Sequence, residues 1–181
     1  MRHSLFSLLS LLPLAAVARP WRNPHAAAKT LDSVTIFDPP ADYNIPRTLY
    51  ARNLQLPSGA LLATWENYSP EPPPVYFPIY RSDDDGATWS QYSEVHDTAN
   101  GVGLRYQPFL YRLPEQIGRF PEGTVLLAGN SIPTDLSTTQ IDLYASPDEG
   151  KSWDFVSHIA SGGRAVPNNG LTPVWEPFLM A

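Results

Sequence analysis

Glu176 is the residue of this sequence with the clearest potential for chemistry, because it directly follows Trp175. A carboxyl group can act as nucleophile or as general acid and base in the cleavage of a glycosidic bond. The neighbouring indole offers a large flat apolar face on which a sugar ring can stack. The alternative is that the Glu176 carboxylate is solvated or bonded to loop amides, and the residue types alone leave both interpretations open.

A repeated turn pattern indicates which elements position Glu176. Ser82–Trp89 and Ser146–Trp153 share the pattern S-x-D-x-G-x-S/T-W, and their serines are 64 residues apart. The pattern is typical of a tight turn, in which an aspartate accepts hydrogen bonds from nearby backbone amides and glycine supplies a positive φ. Asp84 and Asp148 are therefore predicted to hold turns together rather than to do chemistry.

The repeat extends beyond these turns. Gly59 and Gly123 each lie in a Pro-x-Gly turn before a continuous apolar run, and they too are 64 residues apart. Such a turn and run are typical of a hairpin that enters a strand buried on both faces. The triplet Pro-Phe-Leu occurs at Pro108–Leu110 and again, 69 residues later, at Pro177–Leu179. A third unit is therefore predicted to begin near Asn169.

Each of the first two units is predicted to contain four strands. The predicted strands are Arg47–Leu54, Ala60–Trp65, Val75–Arg81, Ser90–His96, Leu104–Tyr111, Thr124–Asn130, Gln140–Ala145 and Asp154–Ile159. Four strands per unit at a period above sixty residues are typical of β-propeller blades. The predicted fold is therefore all-β, with blade 1 at about 45–97, blade 2 at about 100–160 and the start of blade 3 at about 169–181. Ser33–Phe37 is predicted to be a strand that closes the ring.

In a propeller, the start of the first strand of each blade faces the mouth of the central channel. At equivalent positions the second unit has Gln107 and the third has Glu176. The residues predicted from their positions to bind a substrate are Arg47, Arg105, Tyr106, Gln107, Asn130 and Trp175. For each of them, ordinary packing in the core or in a loop is the alternative.

The first 18 residues have the pattern of a secretory signal peptide. Arg2 is followed by a leucine-rich stretch from Leu5 to Leu14 and by the small-residue end Ala16–Ala18. The apolar stretch is too short for a stable membrane-spanning helix. The mature chain is therefore expected to begin near Arg19 and to be secreted, the alternative being an uncleaved anchor.

Composition limits the classes of function. The chain has no cysteine and four scattered histidines, which excludes a disulfide scaffold and gives no metal-ligand spacing, so no cofactor is expected. A formal net charge of −6 argues against nucleic acid or an anionic membrane as partner. The 20 prolines disfavour long helices and favour short strands linked by turns.

Three stretches, 45–53, 61–68 and 172–178, carry a resemblance that covers most of the mature chain. Together they are similar to the fungal exo-α-1,5-L-arabinanases of glycoside hydrolase family 93. The two aspartate turns resemble the Asp-box, or BNR repeat, of the wider sialidase-like superfamily. The resemblance implies a six-bladed β-propeller, of which this chain would be an N-terminal fragment supplying about two blades and the first strand of a third.

The resemblance also implies a function. It implies a secreted, retaining enzyme of arabinan degradation that releases arabinobiose from the non-reducing end of the linear polysaccharide. Of the family's two catalytic glutamates, the first resembles Glu176, and the second is expected about one blade further on, beyond Ala181. Retention needs two carboxyl groups, so a chain with Glu176 alone is expected to give little or no turnover. Glu66 is a poor substitute for the second catalytic glutamate, since it follows a different strand of the first blade. The sequence leaves open whether Glu176 is the nucleophile or the acid/base.

Two other functions remain as alternatives. A sialidase needs several pocket arginines that converge on a substrate carboxylate, and only Arg47 and Arg105 suit that role. Arg47 ends an Ile-Pro-Arg sequence, whereas sialidases have the order Arg-Ile-Pro, so a bond to sugar hydroxyls or a structural role is the expected one. A non-catalytic carbohydrate-binding propeller would retain Trp175 and could dispense with Glu176.

Overall fold

The chain forms two antiparallel sheets of four strands each. The computed structural model describes residues 30–166, 170 and 172–181, so the predicted signal peptide lies outside the described residues. The first sheet contains β1 (Thr48–Gln55), β2 (Leu61–Asn67), β3 (Phe77–Ser82) and β4 (Ser90–Val95). The second contains β5 (Leu104–Arg112), β6 (Val125–Ser131), β7 (Thr139–Ser146) and β8 (Asp154–Gly162). In both sheets the spatial order of the strands follows the sequence order.

The eight strands predicted in the first two units are confirmed to within a few residues at each end, and the fold is all-β. The reason is that the apolar runs are local signals. Every residue of β6 is buried, as are six of the seven residues of β2, as expected for central strands covered on both faces. Within the described part of the chain there is no helix long and apolar enough to cross a membrane.

The main hydrophobic core lies where the two sheets face each other, within a compact unit of Leu31–Ala181. The first sheet contributes buried side chains that include Leu62 and Phe77, and the second contributes others that include Leu127 and Tyr144. Full burial of one such apolar side chain stabilises the fold by about 1.5–3 kcal/mol. This shared core fixes the two inner strands, β1 and β5, relative to each other.

The two predicted aspartate turns join β3 to β4 and β7 to β8, and they have the same hydrogen bonds. The Asp84 carboxylate accepts bonds from the Thr88 amide (2.8 Å), the Thr88 hydroxyl (2.7 Å) and the Ser82 hydroxyl (2.8 Å). Asp148 accepts the corresponding bonds from Ser152 and from the serine two residues before it. Both carboxylates are thus occupied by their own turns, as the sequence predicts.

The hydrogen bonds to Asp84 and Asp148 should make the stability of the fold sensitive to acid. Bonds from the Thr88 amide and hydroxyl hold the pKa of Asp84 below its usual value. Burial alone would raise the pKa of Asp148, but the bonds from Ser152 and its neighbours outweigh burial and lower that pKa. A carboxyl whose pKa is lower in the folded state stabilises the fold above its unfolded-state pKa, and this contribution disappears as the pH falls through the folded-state value.

We therefore expect the free energy of unfolding to fall between about pH 5 and pH 2, and the Asp148→Asn variant to show a smaller fall. Urea unfolding of the two proteins across that range measures the effect. Asp84→Asn serves as the matched change in the other turn and should act in the same direction. Equal acid dependence of the native chain and both variants would contradict this account of the turns.

Two predicted strands are not formed. Residues 33–37 are not a strand; instead Phe37 stacks on Trp65 with ring centroids 5.3 Å apart and contacts Tyr80 at 5.8 Å. Residues 172–181 contact β5 but likewise form no strand. The Thr172 carbonyl accepts one backbone bond, from the Gly163 amide at 3.0 Å, but a single bond does not make the ladder that defines a strand.

Candidate active site

The inner strand of each sheet contains a β-bulge. Leu49 pairs with Glu66 and Arg52 with Thr64, so Tyr50 and the residue after it face a single residue of β2. The same irregularity in β5 lies between Tyr106, paired with Asn130, and Phe109, paired with Ala128, and it contains Gln107. The bulged residues are left-handed, with φ of 48° at Tyr50 and 58° at Gln107. A bulge redirects the side chain of its extra residue.

Glu176 occupies the corresponding position in the third unit. Its φ is 50°, close to the values of Tyr50 and Gln107. The segment that contains it lies along β5, where Phe178 contacts Phe109 with ring centroids 5.0 Å apart and the Ala181 amide donates to the Tyr111 hydroxyl. Tyr50, Gln107 and Glu176 are therefore structural equivalents in three successive units.

These equivalent residues meet at one cavity. Its volume is about 560 Å³, and its described lining residues are Tyr50, Gln107, Trp175 and Glu176. The Tyr50 hydroxyl donates a hydrogen bond to the Glu176 carboxylate at 3.1 Å. The Glu176 amide donates to the Gln107 side-chain oxygen at 2.7 Å. A carboxyl, an indole and an amide thus face the same space, which is the combination that binding and cleavage of a sugar require.

Tyr50 is a site residue that the sequence prediction missed. It lies 57 residues before Gln107, whereas the glycine turns and the aspartate turns of the two units are 64 residues apart. The equivalence is therefore hidden by loops of different length. The available signal was the match between Leu49–Ala51, Tyr106–Pro108 and Trp175–Pro177, each with a large apolar residue before the bulge.

The other predicted binding residues lie at different depths. Tyr106 is half-buried between two rings, with centroid distances of 6.2 Å to Tyr68 and 6.3 Å to Trp175. Asn130 is fully buried and lies behind Gln107, to whose side-chain oxygen it donates at 3.1 Å. Tyr106 thus packs against the Trp175 indole, and Asn130 bonds to the side-chain amide of Gln107. Their roles in binding a substrate stay predictions.

Neither of the two arginines predicted to bind a substrate, Arg47 and Arg105, is among the described residues that line the cavity. Arg105 forms an ion pair with Glu71 at 2.7 Å and donates to the Ile132 carbonyl. Arg47 is left-handed, with φ 76°, and is not among the described residues that line the cavity. A role for either one in binding a substrate stays a prediction.

Glu66 is buried beneath this site. It is 2% exposed, its Oε1 accepts a bond from the Gln107 amide at 3.0 Å, and its Oε2 accepts one from the Tyr68 hydroxyl at 2.9 Å. Burial raises the pKa of Glu66 above its usual value, and these two bonds and the charge of Arg52 act in the opposite direction. It does not line the cavity. Among residues 30–166, 170 and 172–181, no group of three or more acidic, histidine or cysteine residues is placed to hold a metal ion.

Solved structures provide the comparison with known proteins. No family model matches the chain, and a comparison with curated proteins finds no match either. The chain is 73% identical to the Penicillium chrysogenum α-L-arabinanase complexed with arabinobiose, over 85% of this chain and 44% of that one, with a TM-score of 0.84. It is 63% identical to the family 93 α-L-arabinofuranosidase of Fusarium graminearum in complex with arabinobiose, over 81% of this chain and 41% of that one, with a TM-score of 0.80.

The chain thus spans less than half the length of the relatives that it matches. Its two sheets correspond to blades of their propeller, so the predicted sialidase-like propeller class is confirmed. The identity is high across most of this chain and is accompanied by close agreement of the backbone. The chain belongs to glycoside hydrolase family 93, the family of fungal arabinanases and arabinofuranosidases.

Proposed function

We propose that this chain supplies part of the active site of a secreted, retaining exo-arabinanase, in which Glu176 is one of the two catalytic carboxyl groups. The observation that carries the proposal is the position of Glu176, whose carboxyl faces a cavity beside Trp175 and accepts a bond from Tyr50. The similarity to an arabinanase and an arabinofuranosidase, both complexed with arabinobiose, supports arabinan as the substrate. The predicted signal peptide supports secretion.

The proposed reaction follows the retaining mechanism. One carboxylate attacks the anomeric carbon and forms a covalent glycosyl-enzyme while the other carboxyl protonates the leaving oxygen, and water then hydrolyses the intermediate. The two groups must be about 5 Å apart. Among the described residues, Glu176 is the carboxyl that lines the cavity, and the chain spans 44% of the Penicillium enzyme. We therefore propose that the second glutamate belongs to a later blade and that this chain alone gives little or no turnover.

The remaining cavity residues would bind the sugar. The Trp175 indole offers an apolar face for a furanose ring. The oxygen of the Gln107 amide is occupied by two N–H donors, so its nitrogen is the end that is available to a sugar hydroxyl. These groups suit a neutral sugar. A sialidase is disfavoured, because Arg105 is already paired with Glu71 and would have to break that ion pair to bind a substrate carboxylate.

A fusion protein tests this proposal. In it, residues 31–181 of this chain replace the segment of the Penicillium chrysogenum arabinanase that they match. We expect the fusion protein to release arabinobiose from linear α-1,5-arabinan and to leave a sialoside intact, and the 181-residue chain to release none. Binding of arabinan without cleavage would favour the non-catalytic carbohydrate-binding alternative, and cleavage of the sialoside would favour the sialidase alternative.

Removing the Tyr50 hydroxyl should also slow the reaction of the fusion protein. A hydrogen bond to a charged group contributes about 1.5–3 kcal/mol, so losing the bond that orients Glu176 should lower kcat by about 10- to 100-fold in Tyr50→Phe. Steady-state kinetics on linear arabinan measure the change. The matched control is Tyr92→Phe, the same change in β4 of the first sheet, which should leave kcat unaltered. An unchanged kcat in Tyr50→Phe would show that the bond has no part in turnover.

A further inference from the structure

A line of hydrogen bonds connects three successive units beneath the cavity. Glu66 of β2 accepts a bond from the Gln107 amide of β5 at 3.0 Å. The side-chain oxygen of Gln107 then accepts a bond from the Glu176 amide at 2.7 Å. In both steps, a side-chain oxygen of one unit accepts a bond from the backbone N–H of the left-handed residue in the next unit. The line runs from a buried carboxyl to the proposed catalytic residue.

The first step satisfies a backbone group that the bulge leaves unpaired. The β5–β6 ladder is interrupted between Tyr106 and Phe109, so the Gln107 amide has no carbonyl partner on β6. An unpaired backbone N–H away from water costs free energy comparable to a lost hydrogen bond. Glu66 is 2% exposed, and its carboxyl is fixed from the other side by the Tyr68 hydroxyl. It therefore fixes the left-handed conformation of Gln107.

The second step fixes the direction of the Gln107 side chain. A backbone N–H can only donate, so the end of the amide group that faces the Glu176 amide must be the oxygen. Asn130, which is fully buried, donates to the same oxygen at 3.1 Å. Glu176 has φ 50°, and a left-handed residue other than glycine is strained and persists only where its surroundings hold it. The bond from the Glu176 amide to the Gln107 side-chain oxygen helps to hold Glu176 in this conformation.

We propose that Glu66 and Gln107 are positioning residues, which hold the backbone of Glu176 so that its carboxyl faces the cavity. Glu66 acts through Gln107, and Gln107 acts on the Glu176 amide directly. This inference rests on the proposed function in one respect, since it takes Glu176 to be a catalytic residue. The hydrogen bonds that hold the Glu176 backbone are present whether or not the protein is active.

The first test measures how well the Glu176 backbone amide is protected from solvent exchange in the 181-residue chain. Gln107→Met keeps the side-chain volume and removes the acceptor oxygen. We expect the Glu176 amide hydrogen to exchange with solvent about tenfold faster in this variant, because the hydrogen bond that protects it is lost. Mass spectrometry of peptides within residues 172–181 measures the rate, and exchange in peptides of β6 should not change. Unaltered exchange at Glu176 would overturn the proposal.

The second test separates positioning from stability by kinetics of the fusion protein. Glu66→Ala should lower kcat by about 10²-fold, since small misplacements of a reacting group have effects of that size, with KM changed by less than threefold because Glu66 does not line the cavity. Gln107→Met should lower kcat by a similar factor and also raise KM, because it removes the nitrogen proposed to bind a sugar hydroxyl. Glu66→Gln should retain kcat within about threefold, because its oxygen still accepts the Gln107 bond and the Tyr68 hydroxyl can accept from its nitrogen. Glu122→Gln, an exposed change beside Arg112, is the control.

The outcomes separate the two proposals. A fusion protein without activity, combined with faster Glu176 exchange in Gln107→Met, would refute the proposed function and support the positioning. An active fusion protein whose kcat is unaffected by Gln107→Met and Glu66→Ala would refute the positioning and leave the proposed function intact. If Glu66→Ala fails to fold, exchange of the Glu176 amide hydrogen in Gln107→Met still decides the question, because that measurement does not involve a substrate.

Discussion

Glu176→Gln lowers kcat of the fusion protein by about 10³-fold, with little change in KM. Glutamine has the size of glutamate and can still accept the bond from Tyr50, and the Glu176 backbone bond to Gln107 does not involve the substituted group. The amide cannot act as a nucleophile or exchange a proton, and proton transfer by a positioned side chain contributes about 10²–10⁴-fold to the rate. Initial rates of arabinobiose release measure the loss.

Glu122→Gln is the matched control for this change. It alters an exposed carboxyl in the turn before β6 that pairs with Arg112 at 3.4 Å, and it should retain the full rate. The same variants also identify the role of Glu176. An aryl arabinobioside with a good leaving group needs little protonation, so it should restore glycosyl-enzyme formation if Glu176 is the acid and not if it is the nucleophile. A kcat within threefold of the native value would contradict a catalytic Glu176.

Gly129→Ala destabilises the chain by about 2–3 kcal/mol, the upper part of the range for overpacking in a core. Gly129 lies in β6, and a Cβ atom there would be 2.3 Å from Cε2 and 2.8 Å from Cζ of Phe77. Phe77 is fully buried between the sheets, so its ring cannot move aside. The φ of Gly129 lies outside the left-handed region, so the clash and not backbone strain causes the loss.

Urea unfolding of the native and variant chains measures this effect. Phe77→Leu provides the control, because a smaller side chain vacates the space that the new methyl group needs. The loss caused by Gly129→Ala should be smaller in the Phe77→Leu background than in the native one, as a coupling energy in a double-mutant cycle. Additive losses would show that the two residues do not contact each other as described.

The strands and turns could be predicted from the sequence because their signals are local. The Asp84 and Asp148 turns contain all the groups that they bond, within a few residues of each aspartate. Strands β2 and β6 are continuous apolar runs, which are typical of strands covered on both faces. The repeat of these units in turn indicated the propeller class.

The site could be predicted only in part, because its geometry depends on pairing between distant strands. The left-handed bulge at Tyr50 results from the register of β1 against β2, and neither residue type nor spacing shows it. The Glu66 carboxyl bonds to the backbone amide of Gln107, which lies 41 residues later in the chain. The ion pair of Arg105 with Glu71 likewise joins strand β5 to the loop between β2 and β3, which no local pattern connects. Glu176 was predicted because its neighbour Trp175 and the Pro-Phe-Leu repeat are visible in the sequence.

A crystal structure of the fusion protein with Glu176→Gln and bound arabinobiose tests the central claim most directly. We expect the sugar to lie in the cavity between Tyr50, Gln107 and Trp175. The carboxamide at position 176 should lie about 3 Å from the anomeric carbon of the reducing-end sugar or from the hydroxyl oxygen on that carbon. Arabinobiose bound elsewhere, or in this cavity but out of reach of position 176, would contradict the claim that Glu176 is a catalytic residue.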